Sequence, residues 1–461
     1  MSLRFHPRIP LKNGAPGRLI KFLFIPALFI LTILFYISCG RRGVEFEVTR
    51  AVLDNGLRVL LHEDHSVPAV SYQTFYRVGS RNEREGIRGI SQLIEHMMFQ
   101  GTDRFRAGEF DSLLENNGGS CNASTSKDMT VYSAEFHRDL LERVIELEAD
   151  RMRNLRLSQD DIEKEKSIIS EERLRVVDNS VRGRMREKLF ALAFREHPYR
   201  WPAIGTPGDI ESLTRKECLE YYRQRYLPAN AVVVAAGDFE TEEALALIRK
   251  YYGRIQQEEP PADYPVAEPD QTGVRRDTLD VKWRLPVVKM GFRAPPAGSE
   301  DIYPLDILQM ILDGGRNARL PSLLVNDLSI AVRSGAFFPW RIDPALFIVT
   351  IRMREGQDPE EGIEAFYEII DDIRENGIAE EELNRAKKMI EAGYIRSMES
   401  ISDRASRMGR YEILLGDYRK MYRVQEIYRQ ISGADVAGAA RKYFIPEKSS
   451  VVILREAGGS N

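Results

Sequence analysis

The chain has few cysteines, no low-complexity tract and no strong excess of charge of one sign. Its 461 residues include 3 cysteines, too few for a disulfide framework, although the sequence is compatible with a single bridge between Cys121 and Cys218. Lysine and arginine number 66 against 70 aspartate and glutamate, without the basic clusters that bind nucleic acid. We therefore expect no nucleic-acid partner, and a length sufficient for two or more domains with substantial cores.

The N-terminal stretch contains no acidic residue before Glu45 and differs from the rest of the chain. Basic residues precede an apolar run from Phe22 to Ser38, which is the pattern of an export signal. The run is short for a membrane span and contains Pro26. It leads into Cys39, where the sequence resembles a bacterial lipoprotein processing site; the alternative is an uncleaved anchor. Residues 1–39 are thus predicted to tether the body to the periplasmic side of a bacterial envelope.

The remainder of the chain repeats itself once. A proline-rich stretch, residues 257–272, indicates a semi-rigid linker between residues 40–256 and residues 273–461. On each side an alternating strand leads into a helix, and a helix, a turn and a strand close the half. Long helices predicted in the first half are echoed in the second: Leu141–Arg153 and Ile162–Arg175, then Gly362–Glu375 and Glu381–Ser397. This order predicts an α+β fold of two homologous domains, each an antiparallel sheet layered with helices.

The run Gln92-Leu93-Ile94-Glu95-His96 carries three polar side chains that would share one face of a helix. With His in place of Gln92 it would read H-x-x-E-H, the inverted zinc-peptidase motif. Zinc in a hydrolase needs about three protein ligands, a water and a carboxylate that deprotonates this water. Glu95 and His96 can fill two of those roles, whereas the neutral amide oxygen of Gln92 is a poor match for zinc.

The second half supplies an internal control for this motif. Aligning Gly101 with Gly314 sets three residues without acidic or imidazole groups opposite the motif: Leu305, Leu308 and Gln309. Packing of the repeat therefore does not require Glu95 and His96. A Glu-His pair on the buried side of a helix is costly unless it is used or well partnered.

A further ligand is expected from elsewhere in the first half. Glu165 and Glu172 are two helical turns apart and would share one face. On spacing alone, acidic residues of a charged helix are usually a solvated surface.

Gln92–His96 followed by Glu172 resembles the pitrilysin/insulinase family of inverted-motif zinc peptidases. The likeness covers nearly the whole mature chain, because Gly118-Gly119, residues 122–126 and His197-Pro198-Tyr199 follow in the family's order. Each of these short motifs is weak evidence by itself, but their occurrence in this order is specific to the family.

The resemblance implies a role for each residue of the motif. His96 and Glu172 would bind zinc, with Gln92 at the position of the remaining ligand. Glu95 would be the base that activates water, and Glu165 would orient a ligand.

The resemblance also implies how a peptide is held. Asn122, Ala123 and Ser124 would present backbone groups to an extended peptide, in a chamber between two halves that face each other as a clam shell. Many relatives bind the substrate carbonyl with an Arg and a Tyr in the second half, where this chain has Val325 and Val332. A separate homologous chain supplies that pair in some bacterial members.

Two functions follow from these expectations. The first is a zinc metalloendopeptidase that hydrolyses short unfolded peptides and is weakened by the loss of one ligand. The second is a catalytically inactive peptide-binding or scaffolding subunit of a peptidase heterodimer. The expected partners are a peptide, a homologous chain or a second copy of this chain, and the membrane through the N-terminal anchor. A membrane-tethered structural protein has no support beyond the anchor.

Overall fold

The computed structural model describes residues 45–263, 266–281 and 283–456, and from Phe46 onward the chain forms one compact unit. The strands are β1 Thr49–Val52, β2 Arg58–Glu63, β3 Ala69–Tyr76, β4 Ser120–Thr125, β5 Thr130–His137, β6 Ala231–Gly237, β7 Arg275–Val281, β8 Val287–Ala294, β9 Ala331–Phe337, β10 Ala345–Met353 and β11 Ser449–Glu456. The helices are α1 Ile90–Met97, α2 Glu109–Glu115, α3 Leu141–Arg153, α4 Gln159–Arg173, α5 Val181–Ala193, α6 Pro207–Ser212, α7 Arg215–Arg225, α8 Thr241–Tyr252, α9 Ile302–Asp313, α10 Pro359–Asn376, α11 Glu380–Arg396, α12 Ile401–Leu415, α13 Lys420–Gln430 and α14 Gly433–Tyr443.

The strands form two sheets with the same topology. The first has the order β1-β2-β6-β3-β5-β4 and the second has the order β7-β11-β8-β10-β9. Apart from β1, each strand of the first sheet has a counterpart at the same place in the second. The predicted α+β duplication is therefore confirmed.

Both sheets are mixed, whereas the sequence predicted antiparallel ones. The pairs β2 with β6 and β7 with β11 are parallel, and the other pairs are antiparallel. The parallel pair arises because the last strand of each half returns to the middle of its sheet after a long helical excursion, and such crossovers give parallel neighbours.

The central strand β6 is buried on both faces, which explains its uninterrupted apolar sequence. Val233 and Ala235 pack into the core of the first half. Val232 and Val234 point to the other face, because side chains alternate along a strand, and join a core that also contains second-half residues. The first sheet is thus covered by helices of its own half on one face and by the second half on the other.

The two halves exchange helices across their interface. Leu189 of α5, a first-half helix, packs with Val287, Ile348 and Val452 of the second sheet. In return α12, a second-half helix, lies against β3 and β6 of the first sheet. Its Gly409 allows this close approach, since a Cβ there would lie 2.1 Å from Cε2 of Phe75. Apolar burial on both sides joins the halves into one unit.

The predicted linker, residues 257–272, is held against the first half by its acidic residues. Asp263 accepts hydrogen bonds from Arg81 (2.7 Å) and Asn82 (2.9 Å). Glu268 accepts from the backbone N–H of His197 (3.0 Å). Arg81 also donates to Asp343 of the second half (2.9 Å). The domain limits at residues 40–256 and 273–461 stay a prediction, because the described chain from Phe46 is one compact unit.

Among the described residues, no helix has the length and apolarity needed to cross a membrane. The predicted signal or anchor, residues 1–39, lies outside the described residues.

Candidate metal and peptide site

Helix α1 carries the motif, and its start is fixed by Gly89 and Glu83. Gly89 has φ 94°, in the left-handed region that favours glycine. The Glu83 carboxylate accepts hydrogen bonds from the backbone N–H groups of Gly89 (2.9 Å) and Ser91 (3.0 Å), which satisfies donors at the open end of the helix. Burial raises the pKa of Glu83 to about 7, although these hydrogen bonds act to lower it.

The apolar pattern of α1 sets which side chains face the site. Its residues at 90, 93, 94 and 97 are apolar and buried. Gln92, Glu95 and His96 are the half-buried residues of this helix, as expected for one polar face of an amphipathic helix.

Helix α4 brings the distal carboxylates against α1. Glu165 Oε2 lies 3.0 Å from His96 Nδ1, and Glu172 Oε2 lies 3.8 Å from His96 Nε2. The amide of Gln92 donates to Glu172 Oε2 at 2.9 Å. Glu165 is buried and also accepts from Gln100 at 2.7 Å. The structure therefore brings together every predicted metal-site residue of the first half.

Burial and neighbouring charges shift the pKa of two groups in this cluster. Burial raises the pKa of Glu95, although hydrogen bonds from Thr125 and the charge of His96 oppose this effect. Burial lowers the pKa of His96, but its hydrogen bond to Glu165 and the nearby carboxylates outweigh this effect and raise it overall. The carboxylates around His96 thus favour the charged form of its ring.

The donor set does not fit a three-ligand zinc site. His96 Nε2 and Glu172 Oε2 are suitable ligands, and Glu165 fixes Nδ1 of His96 as a zinc-binding histidine requires. The Gln92 amide instead donates to the carboxylate oxygen that a metal would use. Turning the amide would place its oxygen opposite that carboxylate, which is repulsive without a cation between them.

Among the residues that the structure describes, three side chains whose ligand atoms lie close enough to share an ion are Glu63, His65 and Glu240. These residues are exposed and lie outside α1 and α4.

The predicted peptide-binding residues lie on an edge strand beside α1. Strand β4 is the last strand of the first sheet, and α1 packs against it. Asn122 and Ser124 are exposed and Ala123 is half-buried. Thr125, at the end of β4, donates hydrogen bonds to Glu95 from its hydroxyl and its backbone N–H. An extended peptide paired with β4 would pass next to Glu95.

The second half contains no acidic or imidazole group at the equivalent positions of α9. Leu305 and Leu308 are fully buried, and Gln309 accepts a hydrogen bond from the backbone N–H of Phe338 at 2.6 Å. Val325 lies in a π-helical turn, Pro321–Asp327, and Val332 is exposed on β9. An apolar side chain at either position offers no donor to a substrate carbonyl.

Sequence reasoning missed Gln100 and Thr125. Gln100 stands four residues after His96, a spacing that places it on the same side as His96 and could have been used. Thr125 needed the tertiary structure, because its contact with Glu95 joins a strand end to a helix. His197 belongs to a structural turn, where its Nδ1 accepts from the backbone N–H of Tyr199 at 3.1 Å.

The fold and the site define a two-lobed metallopeptidase scaffold with an incomplete metal centre. Residues 58–207 match the family described as Insulinase (Peptidase family M16), and residues 212–390 match the Peptidase M16 inactive domain. The chain belongs to the M16 (insulinase) family, a family of zinc proteases.

Relatives of similar length support this assignment. The zinc protease PqqE of Helicobacter pylori is 29% identical over 416 residues, which are 87% of this chain and 91% of that protein. An uncharacterized zinc protease of Mycobacterium leprae is 28% identical over 81% of this chain and 84% of its own length.

Solved structures share the fold. A protease from Helicobacter pylori has a TM-score of 0.85 at 28% identity, covering 89% of this chain and 100% of that one. The periplasmic protease PqqL from Escherichia coli has a TM-score of 0.74 at 17% identity, covering 90% of this chain but 48% of that chain. This chain therefore has about half the length of PqqL.

Proposed function

We propose that this chain binds extended peptides along β4, Ser120–Thr125, and does not hydrolyse them at an appreciable rate. The observation that carries the proposal is the hydrogen bond from the Gln92 amide to Glu172, which closes the metal centre with a neutral donor. The polar groups have partners without an ion, because His96 Nδ1 is hydrogen-bonded with Glu165 at 3.0 Å and its Nε2 lies 3.8 Å from Glu172. A buried polar cluster with its partners in place has little to gain from a weakly held metal.

Hydrolysis is the second candidate, and the intact half of the site favours it. Glu95 is half-buried beside the proposed peptide strand, and burial raises its pKa, which is the direction that makes a carboxylate a better general base. Glu165 fixes the orientation of His96. This candidate requires an ion that is held by His96 and Glu172 and by a further ligand from outside this cluster.

Peptide binding measured by fluorescence anisotropy, with and without a chelator, tests the first candidate. We expect a labelled, extended peptide to bind equally in both conditions. An internally quenched form of the same peptide, which fluoresces only when it is cut, should stay dark. A peptide N-methylated at alternate residues should bind more weakly, because main-chain pairing with an edge strand needs its N–H groups.

Chelator-sensitive cleavage would overturn the proposal in favour of the second candidate. The Glu95→Gln variant is the matched control, since it preserves shape and hydrogen bonding at this position. Under the first candidate Glu95→Gln leaves binding and the absence of cleavage unchanged; under the second it abolishes cleavage.

The cellular setting and the partner are part of this proposal. The basic and apolar pattern of residues 1–39 supports export and attachment to the bacterial envelope, through Cys39 as a lipoprotein or through an uncleaved anchor. A second M16 chain, or a second copy of this one, is the proposed partner. The length comparison with PqqL supports it, because that chain is about twice as long as this unit.

A further inference from the structure

A cavity of about 460 Å³ opens at the end of β4, next to Thr125. Its lining joins both halves, because α5 of the first half and Arg341 of the second contribute to it. The residues that matter for its chemistry are Thr125, Arg182, Arg186, Phe190 and Arg341. Since Thr125 also donates to Glu95, the cavity adjoins the candidate site directly.

Arginines dominate the charge of this cavity. Arg182 and Arg186 are both exposed and one helical turn apart on α5, so they share one face. The guanidinium of Arg186 lies 5.9 Å from the centre of the Phe190 ring. Arg341 faces them from the second half and is 3.4 Å from the buried Asp128. Glu187, the acidic residue in the lining, is engaged by Arg173 at 3.0 Å.

The surrounding groups add positive charge. Burial and then Arg182 and Arg186 lower the pKa of Lys289 on β8 to about 8. Burial and then Arg341 lower the pKa of Arg186 and of Arg410, which is on α12. The contribution of neighbouring cations to these shifts reflects positive charges that lie close together in a partly enclosed space.

These cations have little compensation within the protein. In the described ranges 45–263, 266–281 and 283–456, no acidic side chain forms an ion pair with Arg182, Arg186 or Arg410. Uncompensated arginines in a concave site focus a positive potential on whatever enters it, and the planar guanidinium matches a carboxylate with two parallel hydrogen bonds.

We propose that this arginine-lined cavity binds a carboxylate of the peptide held on β4, so that the chain selects acidic peptides. The inference rests on the proposed peptide binding and adds the substrate class. The carboxylate comes from an Asp or Glu side chain or from the peptide's free C-terminus, because both present the same pair of oxygens to a guanidinium.

Charge-matched peptides test the proposal without altering the protein. The probes are a fluorescein-labelled extended peptide containing Glu, its Gln and Lys counterparts, and amidated forms of each. We expect the Glu peptide to bind about tenfold more tightly than the Gln peptide, and the difference to shrink at high salt. If the three peptides bind equally and amidation weakens each of them about tenfold, the C-terminal carboxylate is the ligand; if the Glu peptide binds more tightly in both its free and amidated forms, a side chain is.

Protein variants assign the effect to the cavity. The double variant Arg182→Gln with Arg186→Gln should reduce binding of the Glu peptide to the level of the Gln peptide. Arg184→Gln is the matched control, because Arg184 lies on the same helix but is not part of the lining, and we expect it to leave the preference intact. Circular dichroism of each variant checks that the fold is retained.

Two outcomes would overturn the inference and can be told apart. Equal binding of the Glu, Gln and Lys peptides in both their free-acid and amidated forms would leave the proposed peptide binding standing and remove the carboxylate selectivity. Absence of binding by every peptide would remove the proposed function, and the inference with it.

Discussion

Gln92 and the histidine of the H-x-x-E-H motif differ mainly in what they offer a metal. An imidazole nitrogen is a good zinc ligand, whereas an amide supplies a weak oxygen or, as here, a donor N–H that occupies Glu172. The remaining ligands are already placed, with His96 oriented by Glu165 at 3.0 Å. The site is thus one side chain away from a complete donor set.

We therefore predict that Gln92→His restores zinc binding. The purified variant should contain close to one zinc per chain, and its affinity should exceed that of the parent by more than about 100-fold, since changes to supporting residues alone cost about 10–100-fold. Atomic absorption after dialysis against dilute zinc measures this. Gln100→His, which adds a histidine near Glu165 but not at the ligand position, is the control and should not gain zinc. Full zinc occupancy in the unaltered chain would contradict the prediction.

At the residue scale, most of the candidate site could be predicted from the sequence. The helical spacing of Gln92, Glu95 and His96 places them on one face, and the structure shows this. The roles of Glu165 and Glu172 depended on the family resemblance, because a charged helix by itself indicates only a solvated surface. Spacing places Gln92 and Gln100 on the side of His96, but their hydrogen-bond partners could not be predicted, since a glutamine has no preferred partner until two helices are packed together.

Single elements were predicted well where their signal is local. The helix expected over Leu141–Arg153 has those limits, and the one expected over Glu381–Ser397 spans Glu380–Arg396. The parallel pairing of β2 with β6 was missed, because the partner of a strand depends on tertiary contacts and not on its own pattern. The exchange of α5 and α12 between the halves was also not predicted, since apolar periodicity shows that a face is buried but not what covers it.

The packing of α12 on the first sheet predicts opposite effects for two glycine substitutions. Gly409→Ala should lower the free energy of unfolding by about 1–3 kcal/mol, because its Cβ would overlap the buried ring of Phe75. Gly393→Ala, within α11 and with open space around it, should raise the free energy by about 0.5–1 kcal/mol through helix propensity. Urea denaturation of both variants measures this. A stable Gly409→Ala protein would argue against the exchanged packing.

At the scale of the whole molecule, the exchanged helices make the halves depend on each other. Val232 and Val234 of the first sheet belong to the same core as residues of the second half. Removing either half would expose an apolar sheet face, so we expect stability to be a property of the complete chain. The duplication in the sequence would be compatible with two independent domains, and this shared core explains why the described chain from Phe46 is instead one compact unit.

The pH dependence of stability should follow from enclosed carboxyl groups, one of which is Asp306 on α9. Burial raises its pKa from 3.8 to about 7, against hydrogen bonds from Tyr428 and Trp340. Between these values the folded state binds more protons than the unfolded state, so this group's contribution to stability falls as pH rises. Glu83, with a pKa of about 7, acts in the same direction. Asp64, with a pKa of about 2, stabilises the fold above its unfolded value of 3.8 and loses this effect in stronger acid.

We predict that Asp306→Asn flattens the decline of stability toward alkaline pH. The amide oxygen can still accept from Tyr428 and Trp340, which both donate to Oδ2 in the parent, but the side chain no longer ionises. Urea denaturation should give similar free energies of unfolding for variant and parent near pH 4, and an advantage of about 4 kcal/mol for the variant near pH 8. Asp54→Asn, at an exposed position, is the control and should change neither value. A variant that is less stable than the parent near pH 8 would mean that Asp306 is ionised in the folded protein and that its charge is used.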